Sequence, residues 1–279
     1  MMMEEETTIM AAISTLRPSQ LSDLNFSIFS LSFRHRRRLC HLLSSPCLFF
    51  LTLHRLHTLT LPQKTLLIAR HLVFSLHYLT RHFQSPPPRL PNPYTAINHR
   101  DLDTILLLLF LCEAYHDNPE ALERPHAEWR QVLTSICSNT TLKITGITGG
   151  IFDGAALIPY IEMVTRCKRL VGIMGSGGKE GKEVAASPAA VVALPAVEVR
   201  GGGVECVICK EEMREGRDVC KFPCQHLFHW MCILPWLKKR NTCPCCRFQL
   251  PSDDIFGEIQ RLWGVLVKAG GKSLDDDWS

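Results

Sequence analysis

From about residue 13 to 174 apolar positions recur three and four apart, the period of helices with one buried face. The interruptions carry proline or asparagine: Pro18, Pro46, Pro62, the run SPPPRLPNP at 85–93 and DNP at 117–119. Pro62, suited to a first helical position, opens a predicted helix over 62–83. NHRDLDTILLLLFLCEAY (98–115) reads as a buried helix with the Asp101 and Asp103 carboxylates near its positive end. PEALERPHAEWRQVLTSI and AALIPYIEMVTRCKRLVGIM read as amphipathic helices, and the pattern contains no internal repeat.

Residues 175–203 change character, being rich in Gly, Ser and Ala with two prolines, which is linker composition. SDDIFGEIQRLWGVLVKAGG (252–271) restores the helical period: Ile255, Ile259, Leu262, Trp263 and Leu266 share a face, Asp253 or Asp254 caps, and Gly270 ends the helix. The expected organisation is a helical region over 1–174, a linker over 175–203, a cysteine-rich module over 204–250, and a C-terminal amphipathic helix and tail over 251–279.

A formal net charge of +4 is too small to argue for nucleic acid as a partner. The first residues, MMMEEETTIM, are acidic where a secretory signal needs a cationic stretch. The expected setting is therefore reducing, and clustered cysteines point to metal rather than disulfides. The longest unbroken apolar run, ILLLLFLC (105–112), is too short to cross a bilayer, so the expectation is a soluble protein or one held to a membrane peripherally.

Of 13 cysteines, eight lie between Cys206 and Cys246. Six of these and two histidines form four pairs: Cys206-x2-Cys209, Cys224-x-His226, His229-x2-Cys232 and Cys243-x2-Cys246. Two-residue gaps let the chain turn sharply and aim two donors at one tetrahedral ion. Eight ligands make two closed sites of four, which leaves no open position for a substrate and marks both as structural. Cys220 in place of Cys224 would lose the tight Cys-x-His turn, and Cys245 in place of Cys246 would shrink the last gap to one residue. Cys220 reads as a core side chain and Cys245 as a bystander between ligands.

This order of three Cys, two His and three Cys resembles the two-histidine RING finger family of ubiquitin ligases. The resemblance implies a small ββα module that interleaves its ligands around two zinc ions. Cys206, Cys209, His229 and Cys232 would hold the first, and Cys224, His226, Cys243 and Cys246 the second. It also implies a groove for a ubiquitin-conjugating enzyme at Ile208, Trp236 and Pro244, with Phe228 as the core aromatic. Arg247 stands where many members carry a cation that hydrogen-bonds both the conjugating enzyme and its linked ubiquitin. A guanidinium, with five donors in a fixed fork, suits such a bridge, and pinning the thioester in one geometry speeds attack by a lysine amine. The implied activity is ubiquitin transfer to lysines of an unidentified protein substrate without a covalent ligase intermediate.

The bland alternative is a zinc-stabilised interaction scaffold, which ligand spacing alone leaves open; Ile208, Trp236, Pro244 and Arg247 together favour the ligase. Neither Cys220 nor Cys245 has a base arranged beside it for nucleophilic catalysis. In CHLLSSPCLFFLTLHRLH only His54 and His57 have ligand-like spacing, and helical core or surface histidines are the preferred reading. RHRRR (34–38) is open to binding acidic lipid, binding nucleic acid, targeting, or simply lining a solvated helix face. GIMGSGGKEGK lacks the spacing of a phosphate loop.

Beyond the finger, the strings MMMEEETTIMAAISTL, HRRRL, HRDLDTILLLLFLCEA, IPYIEMVTRCKR, VVALPAVEV and CRFQLPSDDIFGEIQRLW are similar to plant RING ubiquitin ligases of amyloplasts. That resemblance implies association with starch-bearing plastids, a role in shoot gravitropism and a peripheral contact with the organelle membrane. Transit peptides are poor in acidic residues, whereas this sequence carries three consecutive glutamates at positions 4–6, which favours the cytosolic face.

Overall fold

The computed structural model describes residues 2–84, 97–139, 157–174, 184–199, 203–213 and 219–271. The described residues within Met1–His82, Tyr94–Gly177 and Leu266–Ser279 make one compact unit, and those within Phe83–Pro93 and Gly178–Val265 a second. The proline run at 85–93 lies outside the described residues, as do 175–183 and 200–202.

The first unit is helical: α1 (Met2–Ser14), α2 (Pro18–Ser44), α3 (Pro46–Thr58), α4 (Leu61–Thr80), α5 (His99–Asp117), α6 (His126–Asn139) and α7 (Leu157–Met174). Pro18, Pro46 and Pro62 each occupy the first turn of a helix, where a missing N–H costs nothing. The stretch expected as one helix over 119–136 is split into a 3₁₀ turn at Pro119–Leu122 and α6, because Pro125 disfavours helical backbone in the residue before it. Leu39, Leu42 and Leu43 of α2, Phe49 and Leu53 of α3, and Leu106, Leu107 and Phe110 of α5 form one apolar core.

Asp101 and Asp103 are buried and do more than sit near a helix dipole. Arg38 of α2 grips Asp103 through two bonds of 2.6 and 2.8 Å, while Arg55 of α3 bonds Asp101 and Arg70 of α4 approaches it at 3.9 Å. Three helices are thereby pinned to α5. On α1, Glu5 meets Lys168 at 2.5 Å and Arg169 at 3.2 Å on α7.

The second unit carries α8 (Pro188–Val192), β1 (Ala196–Val197), β2 (Val219–Lys221), β3 (Leu227–His229) and α9 (Trp230–Leu237). The sheet is antiparallel in the order β1-β2-β3 and registers Ala196 with Cys220 and Cys220 with Phe228. The expected ββα module is present with one addition: its third strand comes from the stretch whose composition reads as linker. Within that stretch, residues 184–199 form α8 and β1, and Ala186 and Leu194 are buried with Phe222, Phe228, Ile233, Leu237 and Leu250.

In α10 (Ile255–Gly271), Ile255, Ile259, Leu262 and Leu266 are buried and Trp263 is half-buried. Asp254 accepts the Gly257 N–H at 3.0 Å as a cap. Gly270 does not end the helix. It lies inside it, and a Cβ there would stand 3.2 Å from the Ala11 Cβ and the Ala12 nitrogen of α1, so the glycine serves close approach.

Candidate metal centre

The finger holds two turns built to one hydrogen-bond plan. In the first, Cys206 N–H donates to the Glu211 carbonyl at 2.9 Å, Lys210 N–H to Cys206 at 2.7 Å, and Met213 N–H to Val204 at 2.8 Å. In the second, Cys243 N–H donates to Phe248 at 2.8 Å, Arg247 N–H to Cys243 at 2.9 Å, and Leu250 N–H to Asn241 at 2.6 Å. Lys210 and Arg247 both adopt left-handed backbone, with φ of 63° and 60°. Met213 and Leu250 both bury their side chains. The sequence does contain a short repeat, Cys-x2-Cys-cation-x2-apolar, that hydrophobic periodicity alone misses.

A third left-handed residue, Gln225 (φ 69°), separates Cys224 from His226, whose Sγ and Nδ1 lie 3.3 Å apart. His229 ends β3, and its Nδ1 lies 3.3 Å from Cys209 Sγ and 3.9 Å from Cys232 Sγ. Cys232 follows in the first turn of α9.

Two groups of four result: Cys206, Cys209, His229 and Cys232, and Cys224, His226, Cys243 and Cys246, each with all its donor atoms within 4.8 Å of one another. Four donors at these separations fit around one tetrahedral ion. The sets alternate along the chain, so two metal-binding sites brace the finger crosswise. The thiol chemistry also asks for a cation. Burial pushes Cys224 up to about 12 and Cys232 up to about 11, and neighbouring thiols add to both shifts. Such sulfurs are thiolates at neutral pH only against a positive ion. Burial alone would raise Cys206 too, but backbone N–H groups of Cys209, His229 and Ile208 bring it below the usual thiol value.

Cys220 is fully buried in β2 and burial pushes its thiol up to about 12, so it is an apolar core side chain. Cys245 is exposed and belongs to neither group.

Of the residues assigned to partner binding, Ile208 and Trp236 line one open depression with Cys232, Pro235, Lys239 and Arg240. Pro244 is half-buried and does not line it; Arg247 is exposed. The Trp236 indole N–H donates to the Thr242 carbonyl at 2.7 Å, and the Arg240 guanidinium lies 5.1 Å from its ring centre. Lys239 and Arg240 are missed by motif reasoning, although the basic run KKR directly after α9 signals a cationic rim.

Elsewhere, His54 and His57 are exposed, and the His57 ring lies tilted with its centre 4.9 Å from that of His126 rather than joining a metal group among the described residues. RHRRR is divided by its helix: His35 is buried and Arg38 is paired, while Arg34 and Arg37 face solvent on α2 beside exposed Phe26 and Phe33. GIMGSGGKEGK falls mostly outside the described residues.

The ring finger domain model matches residues 204–247. The E3 ubiquitin-protein ligase SGR9, amyloplastic, of Arabidopsis thaliana is 52% identical over 96% of this chain and 98% of its own length. An E3 ubiquitin-protein ligase RNF181 homolog of Drosophila melanogaster is 40% identical over 36% of this chain and 74% of its own. The RNF181 ligase of Danio rerio is 48% identical over 25% of this chain and 47% of its own. No solved structure matches the chain. A cross-braced finger and a relative that shares nearly its whole length lead to one conclusion: the chain belongs to the RING-type E3 ubiquitin-protein ligases.

Proposed function

We propose that the two clusters hold one zinc ion each and that the finger presents a ubiquitin-conjugating enzyme to its substrate through the depression at Ile208 and Trp236. Thiolate and imidazole donors, four to a site with none left open, favour zinc in a structural role. The observation that carries the reading is the placement of Ile208, from the first cysteine turn, and Trp236, from α9, in one apolar depression beside the braced centre. Pro244 would extend that surface from the second turn.

Arg247 acts later, on the thioester-linked ubiquitin. Its backbone conformation is shared with Lys210 and follows from the turn, so the guanidinium itself is the functional part. It restrains the linked ubiquitin, and a substrate lysine attacks the thioester directly.

The helical region 1–174 selects substrate and location, the finger recruits, and α10 closes the chain. By likeness to its Arabidopsis relative, which is named as amyloplastic, the protein works at the amyloplast. We place it on the cytosolic face, where an exposed cationic and aromatic stretch of α2 can meet the organelle membrane. Arg34 and Arg37, with Phe26 and Phe33, supply a surface for an anionic membrane.

A binding titration and a single-turnover discharge to free lysine test the two roles separately. Trp236→Ala is expected to weaken binding of the conjugating enzyme by about 2 kcal/mol while both zinc ions stay. Arg247→Ala is expected to bind uncharged enzyme normally and discharge ubiquitin slowly, and Arg247→Lys to recover part of the rate. Discharge at the wild-type rate in Arg247→Ala would remove the activating step.

A further inference from the structure

The family's finger spans 204–247, yet the finger of this chain is not complete at residue 204. Residues 184–199 run behind α9 as an arm, and its backbone is tied down at three places. Ser187 N–H donates to the Pro251 carbonyl at 2.9 Å, next to the end of the second cysteine turn. Ala186 N–H donates at 3.0 Å to the carbonyl of Leu237, the last residue of α9. Lys221 N–H donates at 3.0 Å to Pro195, where β1 closes the edge of β2.

The side chains follow the backbone. Leu194 is 7% exposed and packs in the cluster that includes Ile233 and Leu237 of α9, with Ala190, Val191 and Trp236 partly buried against it. One of the carbonyls left over at the C-terminal end of α9 thus takes its donor from the arm, one residue beyond Trp236. α9 is eight residues long and Pro235 withholds the N–H that would bond Met231. Beyond it Lys238 N–H bonds Leu234 at 3.1 Å and Arg240 N–H bonds Trp236 at 2.8 Å, and the arm supplies the donor for Leu237 that these bonds do not.

We propose that the arm is a positioning element of the ligase: Leu194 and the Ala186 N–H fix the last turn of α9, and with it Trp236, in the orientation that receives the conjugating enzyme. The proposal rests on the reading of Ile208 and Trp236 as the recruiting surface. No metal donor lies in the arm, so its effect falls on partner affinity and not on metal content. Chemistry at Arg247, on the second turn, is untouched once the partner is bound.

The test uses the full-length protein with Leu194→Ala, Leu194→Met and Trp236→Ala, and reads zinc content, affinity for a conjugating enzyme, and discharge at saturating charged enzyme. Leu194→Ala is expected to keep two zinc ions per chain and lose affinity on the order of tenfold, the scale set by a small misplacement of a positioned group, with saturated discharge unchanged. Leu194→Met, which refills the volume, restores most of the affinity. Wild-type affinity in Leu194→Ala, or loss of a zinc ion from it, would overturn the positioning role. If Trp236→Ala binds as tightly as wild type, the recruiting surface itself is wrong and the proposal falls with it.

Discussion

At residue scale the thiols of the finger part company through their surroundings. Cys245 and Cys246 are neighbours and both exposed, but only Cys246 has its sulfur among Cys224, His226 and Cys243. Cys220, by contrast, is enclosed by Phe222, Phe228 and Leu237. Cys245→Ser and Cys220→Ser are expected to keep two zinc ions per chain, and Cys224→Ser to keep one, as counted by metal analysis after gel filtration. The buried hydroxyl of Cys220→Ser should still cost about 1–3 kcal/mol of stability, since it enters an apolar site without a partner. Loss of zinc from Cys245→Ser would overturn the assignment. Donor spacing is covalent information and was legible in the sequence. The left-handed backbone of Lys210, Gln225 and Arg247 was not, because none is glycine and only the closed turn enforces it.

At the scale of elements, long amphipathic helices were legible because their period runs for many turns. β1 was not: two residues cannot display an alternation, and small residues that pack closely look like linker in composition. The sequence likewise hid the buried imidazoles of the helical unit. His35 of α2 and His71 of α4 lie with ring centres 5.8 Å apart, and neither nitrogen of His71 has a hydrogen-bond partner among the described residues. Burial lowers His71 to about 4; burial, with His71 and Arg34 adding repulsion, lowers His35 to about 3. Both are therefore neutral in the folded unit at neutral pH. As pH falls below about 6.5 the unfolded chain takes up protons that the folded unit refuses, so stability declines until the folded values are reached. The loss should amount to a few kcal/mol between about pH 7 and pH 4. His71→Leu, read by urea midpoints across that range, should flatten the decline. A midpoint that falls equally in both proteins would show that other groups govern acid sensitivity.

For the whole molecule, the surface proposed for attachment and the finger lie in different stretches of chain, so the two roles can be tested apart. If Arg34 and Arg37 hold the protein on an anionic membrane, Arg34→Glu with Arg37→Glu should release it from isolated plastids. The loss is about 1 kcal/mol per cation removed, and high salt should do the same to the wild type. Free-lysine discharge by the doubly reversed protein should stay at the wild-type level. Protection of the wild type from protease added outside intact plastids would mean import instead. The order of synthesis adds a consequence of the way α1 is held. Its partners for Glu5 lie on α7, and the small-residue contact of Ala11 and Ala12 is made by Gly270 of α10, both far along the chain from α1. Because α1 precedes α7 and α10 in the chain, it must wait during synthesis for both neighbours to emerge. Until they do, its apolar side, including Ile9 and Ile13, is left open to chaperones or to wrong partners.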